Sequence, residues 1–445
     1  MLRDVARTLR GRGRPAAPGS VGELVFSGPL PPARTGVATY DRAVLDGLRR
    51  IGFFERHRMD VLWPIEPKDT PRLPGYRLGV FELGNNVEFH LEAYRAAFLA
   101  QASLIVLHDL ALDDFVRALR TLGDPLGYMA TREAAALRSN LSSPDVVRNE
   151  PLREPWCAHI ARRARGIIVH SAFCKAYLEE FGCRTPVFVV PHPIVESDAD
   201  MRAAVDRGRE LREPLEARGT RSLVVAPGDL NDAKRLDAVL GALHELDEGV
   251  HVALVGRRIE GYDIDRVVDT ARLGDRVTLA ADVPDEDFRG WLAAADVVID
   301  LRFPHRGEVS GSLIRAMQAG KPSIVSATGT YLDAPDDAVL RVAAGPTNPS
   351  ELAARIHTLL GDPELRARMG RSAQAHVDGI RTSEATARGY EAAIEETLRL
   401  VRDPAHKAMA IWGKALADMG ADETDLREGL GVGYARALST FRGTS

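Results

Sequence analysis

The residues best suited to chemistry lie in the stretch Arg306-Gly307-Glu308-Val309-Ser310-Gly311-Ser312-Leu313-Ile314-Arg315. A helix that opens on Ser-Gly-Ser presents unpaired N–H groups and a positive dipole end, an arrangement that holds a phosphate. Glu308 stands just ahead of it as a carboxylate able to accept hydrogen bonds from hydroxyl groups. Lys234-Arg235 follow Gly228 at a strand–loop–helix junction and add positive charge. In the first half, Ser103-Leu104-Ile105-Val106-Leu107 is a fully apolar strand that runs out into His108-Asp109. A histidine at the carboxyl end of a parallel strand faces the ligand crevice rather than the core. Plainer readings stand beside these. Lys234-Arg235 also reads as a solvated pair, Glu308 as a loop acid and Asp109 as the cap of the next helix. His192, between two prolines, also reads as a hinge marker, and Asn85 and Asn86 as turn residues.

The elements that must position these groups alternate. Strand signals at Glu23–Ser27, Asp60–Trp63, Leu78–Glu82, Ser103–Leu107, Gly166–Ser171 and Val187–Val190 are separated by apolar-periodic helices. One follows Gly36, with Tyr40, Val44, Leu45, Leu48 and Ile51 at helical spacing. The Gly/Pro-rich loop from Gly28 to Gly36 lacks the G-x-G-x-x-G spacing of a dinucleotide site. Its plain reading is a turn in which Gly36 takes a positive φ. Residues near Asn140 to Pro151 form a polar stretch with the composition of a mobile loop. The charged run from Glu196 to Arg221 shows no core pattern beyond a solvated helix. A second series restarts at Ser222–Gly228 and continues through Val252–Gly256, Arg276–Leu279, Val297–Leu301 and Ser323–Val325; beyond Pro349 the pattern is helical. Strand alternating with helix in both halves predicts a doubly wound, mainly parallel sheet in each. The expected domains are a flexible basic tail (1–20), a first α/β domain (21–195), a linker (196–221), a second α/β domain (222–380) and C-terminal helices (381–445) that fold back on the first.

At 445 residues the chain exceeds one ordinary core. With 45% hydrophobic and 27% charged residues and a net charge of -5, nothing in the whole-chain balance points to nucleic acid. The preference for Arg over Lys, with abundant Ala, suggests a high-GC bacterial genome. Cys157, Cys174 and Cys183 have no metal-ligand spacing, which suits a reducing cytoplasm. No apolar run approaches the roughly 20 residues of a membrane span, so membrane contact is at most peripheral.

In its motifs and their order the chain resembles the retaining, nucleotide-sugar-dependent glycosyltransferases of family 4 (group 1). The carriers are Pro31-Pro32-Ala33-Arg34-Thr35-Gly36, Leu83-Gly84-Asn85-Asn86 with His90, Val106-Leu107-His108-Asp109, His170-Ser171, Val190-Pro191-His192, Gly228 with Lys234-Arg235, and Glu308 to Pro322. The resemblance spans roughly residues 22 to 395 and implies the GT-B fold, two facing Rossmann-like domains with parallel sheets and a helical C-terminal extension. It implies transfer of a sugar from a nucleoside diphosphate to a hydroxyl acceptor, whether small molecule, glycan or lipid-linked. It further implies carbohydrate biosynthesis, with no metal and no cofactor besides the nucleotide-sugar co-substrate. His108 and Glu308 become the catalytic residues, touching the donor sugar. Gly36, Lys234, Arg235, Ser310, Gly311, Ser312 and Leu313 become the diphosphate site, and Arg34, Asn86, Asp109 and His192 candidates for sugar or acceptor. Three departures stand out. The place of the family's first glutamate falls on Gly307, with Glu308 one step later; Arg315 occupies the place of the second, ribose-binding glutamate; and Asp229 follows Gly228 where an arginine is usual. A non-catalytic nucleotide-binding relative and a nucleotide-sugar epimerase of the same fold are the alternatives.

Overall fold

The structure is a computed structural model; it describes residues 23–402 apart from Arg34, Val195, Pro346 and Thr347. Twelve strands form two six-stranded, wholly parallel sheets, both within the compact unit that ends at Glu391. The first holds β1 (Leu24–Ser27), β2 (Met59–Val61), β3 (Leu78–Leu83), β4 (Ser103–Leu107), β5 (Gly166–Val169) and β6 (Val187–Val189), in the order β2-β1-β3-β4-β5-β6. The second holds β7 (Ser222–Pro227), β8 (Val250–Gly256), β9 (Val277–Ala281), β10 (Val297–Asp300), β11 (Ser323–Ser326) and β12 (Val339–Val342), in the order β12-β11-β10-β7-β8-β9. Helices cover the faces of such sheets, so central strands are apolar along their length rather than alternating; β4 and β10 are buried at every residue. Two carboxylates break that rule, Glu82 in β3 and Asp300 at the end of β10, and both are fully buried.

In each sheet the chain first winds one way and then crosses back. The reversal falls between β1 and β3 in the first and between β7 and β10 in the second. Parallel sheets bind ligands outside the carboxyl ends of the strands that flank such a reversal. The loops that follow β1, β3, β7 and β10 therefore border the two crevices.

Three segments differ from the sequence expectation. Residues 140–151 are ordered by short helical turns, including Pro144–Arg148, and Asn149 is fully buried because its side chain is engaged by the second sheet's loops. The charged run is one 19-residue helix, Asp198–Glu216, started by a capping box between Ser197 and Asp200. It packs on the helix Asp285–Ala294, where Gly290 meets Arg207 closely. β12 carries too short a pattern to read from sequence. The basic tail 1–20 lies outside the described residues, as do residues 403–445 of the C-terminal helices. The helix that opens the latter runs Ser383–Arg402. Its first turns lie on the helix Gly36–Arg50, where a Cβ on Gly47 would stand 2.4 Å from the carbonyl oxygen of Ser383.

Candidate functional site

The second sheet's reversal point is built around Gly228. Its φ of 113° is open to glycine and strained for other residues. A Cβ there would sit 2.9 Å from Lys234 Nζ and 2.9 Å from Ser312 Oγ, so those two side chains converge on one spot of bare backbone. Lys234 is buried and pairs with Asp300, which also accepts the Ser310 hydroxyl. Burial pushes the Lys234 pKa down while Asp300 opposes it. The lysine therefore arrives already neutralised and offers a fixed N–H donor more than net charge. Ser310 caps the helix Gly311–Gln318 by accepting from the Leu313 amide. That corrects one expectation, because the Leu313 N–H is occupied and Gly311 and Ser312 are left to present theirs at the helix mouth. Arg235 adopts a left-handed φ of 53° and pairs with Asp237 at 2.9 Å. Asp229 is held by two 2.9 Å hydrogen bonds from Arg257.

Glu308 is clamped by Arg302 at 2.6 Å and by the Arg306 amide at 2.8 Å. Burial raises its pKa, but Arg302 and His305 more than offset this and bring it to about 2. At neutral pH it is therefore an anion. Its loop meets the loop after β4, where the Leu110 and Ala111 amides both donate to the Arg306 carbonyl at 3.0 Å. Gly307, φ 89°, packs so tightly on Leu110 that a Cβ would fall 2.5 Å from that side chain. Asn149 ties the same regions, accepting from the His305 amide at 2.7 Å and donating to Thr328 Oγ1 at 2.8 Å. The turn that follows His108 is thereby fixed beside the Glu308 loop.

In the first sheet, His108 Nε2 lies 2.9 Å from Glu82 Oε2, and burial pulls its pKa down to about 3, keeping it neutral. Tyr40 sits centrally among His108, His170 and His192, with ring centroids 4.8, 5.0 and 4.9 Å away. His192 thus joins the cluster, its Nδ1 donating to the Pro193 carbonyl at 2.9 Å. Asp109 does not cap the next helix, whose cap is Leu112. It accepts from the Asn85 amide at 2.8 Å, and burial together with nearby Glu308 raises its pKa to about 7. Asn86 caps the helix Val87–Leu99 through the Glu88 amide, and its side chain is exposed. Gly36 is the first residue of its helix and is absent from the positive-φ glycines, which corrects the turn reading; a Cβ would meet nothing within 4 Å. Arg34 lies outside the described residues. Arg315 is bound to Glu196 at 2.6 Å and Asp285 at 2.9 Å, with its guanidinium 5.4 Å from the Phe288 ring centre.

Sequence reasoning missed Glu82, Asp41, Asp300, Arg302 and Asn149. The first and third carried a signal, a lone carboxylate in an otherwise apolar strand. Asp41 looked like a polar-face helix residue, and Asn149 like a loop residue, because their partners are distant in sequence.

Residues 208–376, the part of the chain that carries Lys234, Asp300 and Glu308, match the model of the family described as glycosyl transferases group 1. A D-inositol 3-phosphate glycosyltransferase of Arthrobacter sp. (strain FB24) is 27% identical over 147 residues, 32% of this chain. The match spans only 34% of that relative's length. Among solved structures, Anabaena HepE in complex with UDP-glucose superimposes with a TM-score of 0.60 at 17% identity, over 84% of this chain and 100% of the other. Sucrose-phosphate synthase of Thermosynechococcus elongatus gives 0.57 at 18% identity, over 84% and 98%. At these identities the likeness is one of fold. The chain has the two-sheet α/β architecture of GT-B glycosyltransferase structures, with a helical C-terminal region.

Proposed function

We propose that the protein is a retaining glycosyltransferase that moves a sugar from a nucleoside diphosphate to a hydroxyl acceptor. The observation that carries this reading is the convergence of Lys234 and Ser312 on the bare backbone of Gly228, beside a helix mouth, inside the segment that matches group 1. A departing diphosphate needs oriented donors rather than a strong nucleophile, and that is what this spot supplies. Glu308, held anionic, accepts from sugar hydroxyls, and neutral His108 stands on the adjoining turn. The leaving phosphate oxygen takes the acceptor's proton on the same face, so no separate base is required. The HepE complexes with UDP and UDP-glucose support a nucleotide-sugar donor on this fold. Three buried free cysteines suit a reducing cytoplasm. Among the described residues no helix is long and apolar enough to cross a membrane.

The test is a panel of nucleotide sugars with acceptor extracts, read as release of nucleoside diphosphate. Release with at least one donor, abolished by Glu308→Gln, is expected. No binding and no release with any donor would sink the assignment. Tight nucleotide binding without turnover would favour a non-catalytic relative; in its favour is the engagement of Arg315 and Asp229 in internal ion pairs.

A further inference from the structure

The first sheet has its own reversal point, between β1 and β3, and the groups gathered there are unlike those in the second. Glu82 comes from β3, Asp41 from the helix Gly36–Arg50 and His108 from the end of β4. One ligand atom from each lies within 4.8 Å of the other two. Asp41 and Glu82 are fully buried, and His108 leaves a tenth of its side chain exposed. Neither Asp41 oxygen has a hydrogen-bond partner. Among the described residues no lysine or arginine pairs with either carboxylate. Gly28 follows β1 and leaves room for them, since a Cβ on it would stand 2.2 Å from Asp41 Oδ2 and 2.5 Å from Glu82 Cγ.

Two carboxylates removed from water without a counter-charge are costly, and orphaned carboxylate oxygens in a fully buried place call for a partner. We propose that Asp41, Glu82 and His108 bind one divalent first-row transition cation at the switch point of the first sheet. Two carboxylates and an imidazole form a mixed O/N donor set of the kind such ions take. Donors about 2.1 Å from a zinc-sized ion stand about 3.4 Å apart in a tetrahedron. The 2.9 Å between His108 Nε2 and Glu82 Oε2 needs only a small opening to become such an edge. The Nε2 lone pair then faces the ion while Nδ1 keeps the ring proton.

The surroundings extend the argument. Tyr390 donates to the other Glu82 oxygen at 3.0 Å and shares a 2.7 Å hydrogen bond with Tyr40, so the carboxylate is oriented from behind as a ligand requires. His170 Nδ1 donates to the Val190 carbonyl at 2.9 Å, leaving a buried Nε2 lone pair without a partner. Its ring centre is 5.1 Å from that of His108. This orphan is a second nitrogen, and a fourth potential donor, beside the site.

The experiment uses the full-length untagged protein after chelator dialysis, titrated with Co2+ alone and followed by calorimetry and visible ligand-field absorption. One saturable equivalent with ligand-field bands, displaced by Zn2+, is expected. Asp41→Asn and Glu82→Gln should weaken Co2+ at least 100-fold, Tyr390→Phe about tenfold, and the distant His376→Ala not at all. Circular dichroism and thermal unfolding verify that each variant is folded. Asp41→Asn keeps the shape and removes the buried charge, so it remains informative if Glu82→Gln fails to fold. Absence of saturable Co2+ binding, or binding indifferent to Asp41→Asn, overturns the proposal and leaves the two carboxyls neutralised by protons. No sugar or nucleotide enters the assay, so its result stands apart from that of the glycosyltransferase test.

Discussion

Replacing Lys234 by Met separates the structural from the ligand-binding role of the Gly228 site. The Lys234 side chain is 5% exposed and that of Asp300 0%, so the substitution leaves a buried carboxylate whose remaining hydrogen bond, among the described residues, comes from the Ser310 hydroxyl. Breaking a buried pair from one side costs about 3–5 kcal/mol. The surviving Ser310 bond puts the expected loss near the lower end, about 3 kcal/mol. Removing Asp300 as well, in Lys234→Met/Asp300→Leu, replaces the pair with apolar groups and eliminates the unpaired charge. The remaining loss is then the Ser310 hydrogen bond, about 1 kcal/mol. Urea unfolding followed by tryptophan fluorescence should therefore rank wild type, double and single variant in descending stability. Nucleoside-diphosphate binding should be lost in both variants, because both lack Nζ. A single variant within about 1 kcal/mol of wild type, or a double variant no more stable than the single, would refute the reasoning.

Arg315→Glu introduces the acid that the family resemblance implies at that position but faces it with Glu196 and Asp285. It should destabilise by about 3 kcal/mol in thermal unfolding and bring no gain in nucleotide affinity by calorimetry. Asn149→Ala should lower stability by about 2 kcal/mol and speed amide exchange in residues 303–308 and 328–330, since it frees the His305 amide and one bond to Thr328. Glu308 titrates at about 2 in the folded chain against an ordinary 4.5, so it stabilises above pH 4.5 and that contribution is lost as pH falls toward 2. Glu308→Gln should accordingly show a shallower loss of stability between those two values in acid unfolding.

The sheets and their parallel winding were legible because buried parallel strands are nearly continuous apolar runs, and the helix mouth at Ser310 was legible from its capping pattern. What escaped depends on pairing across long sequence distance. Asn149 sits in a stretch with a loop's composition, and contacts with His305 and Thr328, 156 and 179 residues away, make it a core residue. Leu313 looked available as a donor because a cap chosen by Ser310 is a matter of rotamer rather than of type. Arg315 is an odd residue at a known position, and only Glu196 and Asp285 show where its charge is spent. Asp41 reads as one more polar helix residue until β3 brings Glu82 beside it.

The reach of Tyr390 back to Glu82 has a consequence for synthesis. The hydroxyl that orients this carboxylate is encoded 308 residues after it, which at about 5–20 residues per second is roughly 15–60 s of translation. Through that interval the emerging β3 carries a carboxylate whose hydroxyl partner has not yet been made. A ribosome-bound nascent chain halted before Tyr390 would hold the first sheet's crevice unfinished, with the Glu82 carboxylate still open to water.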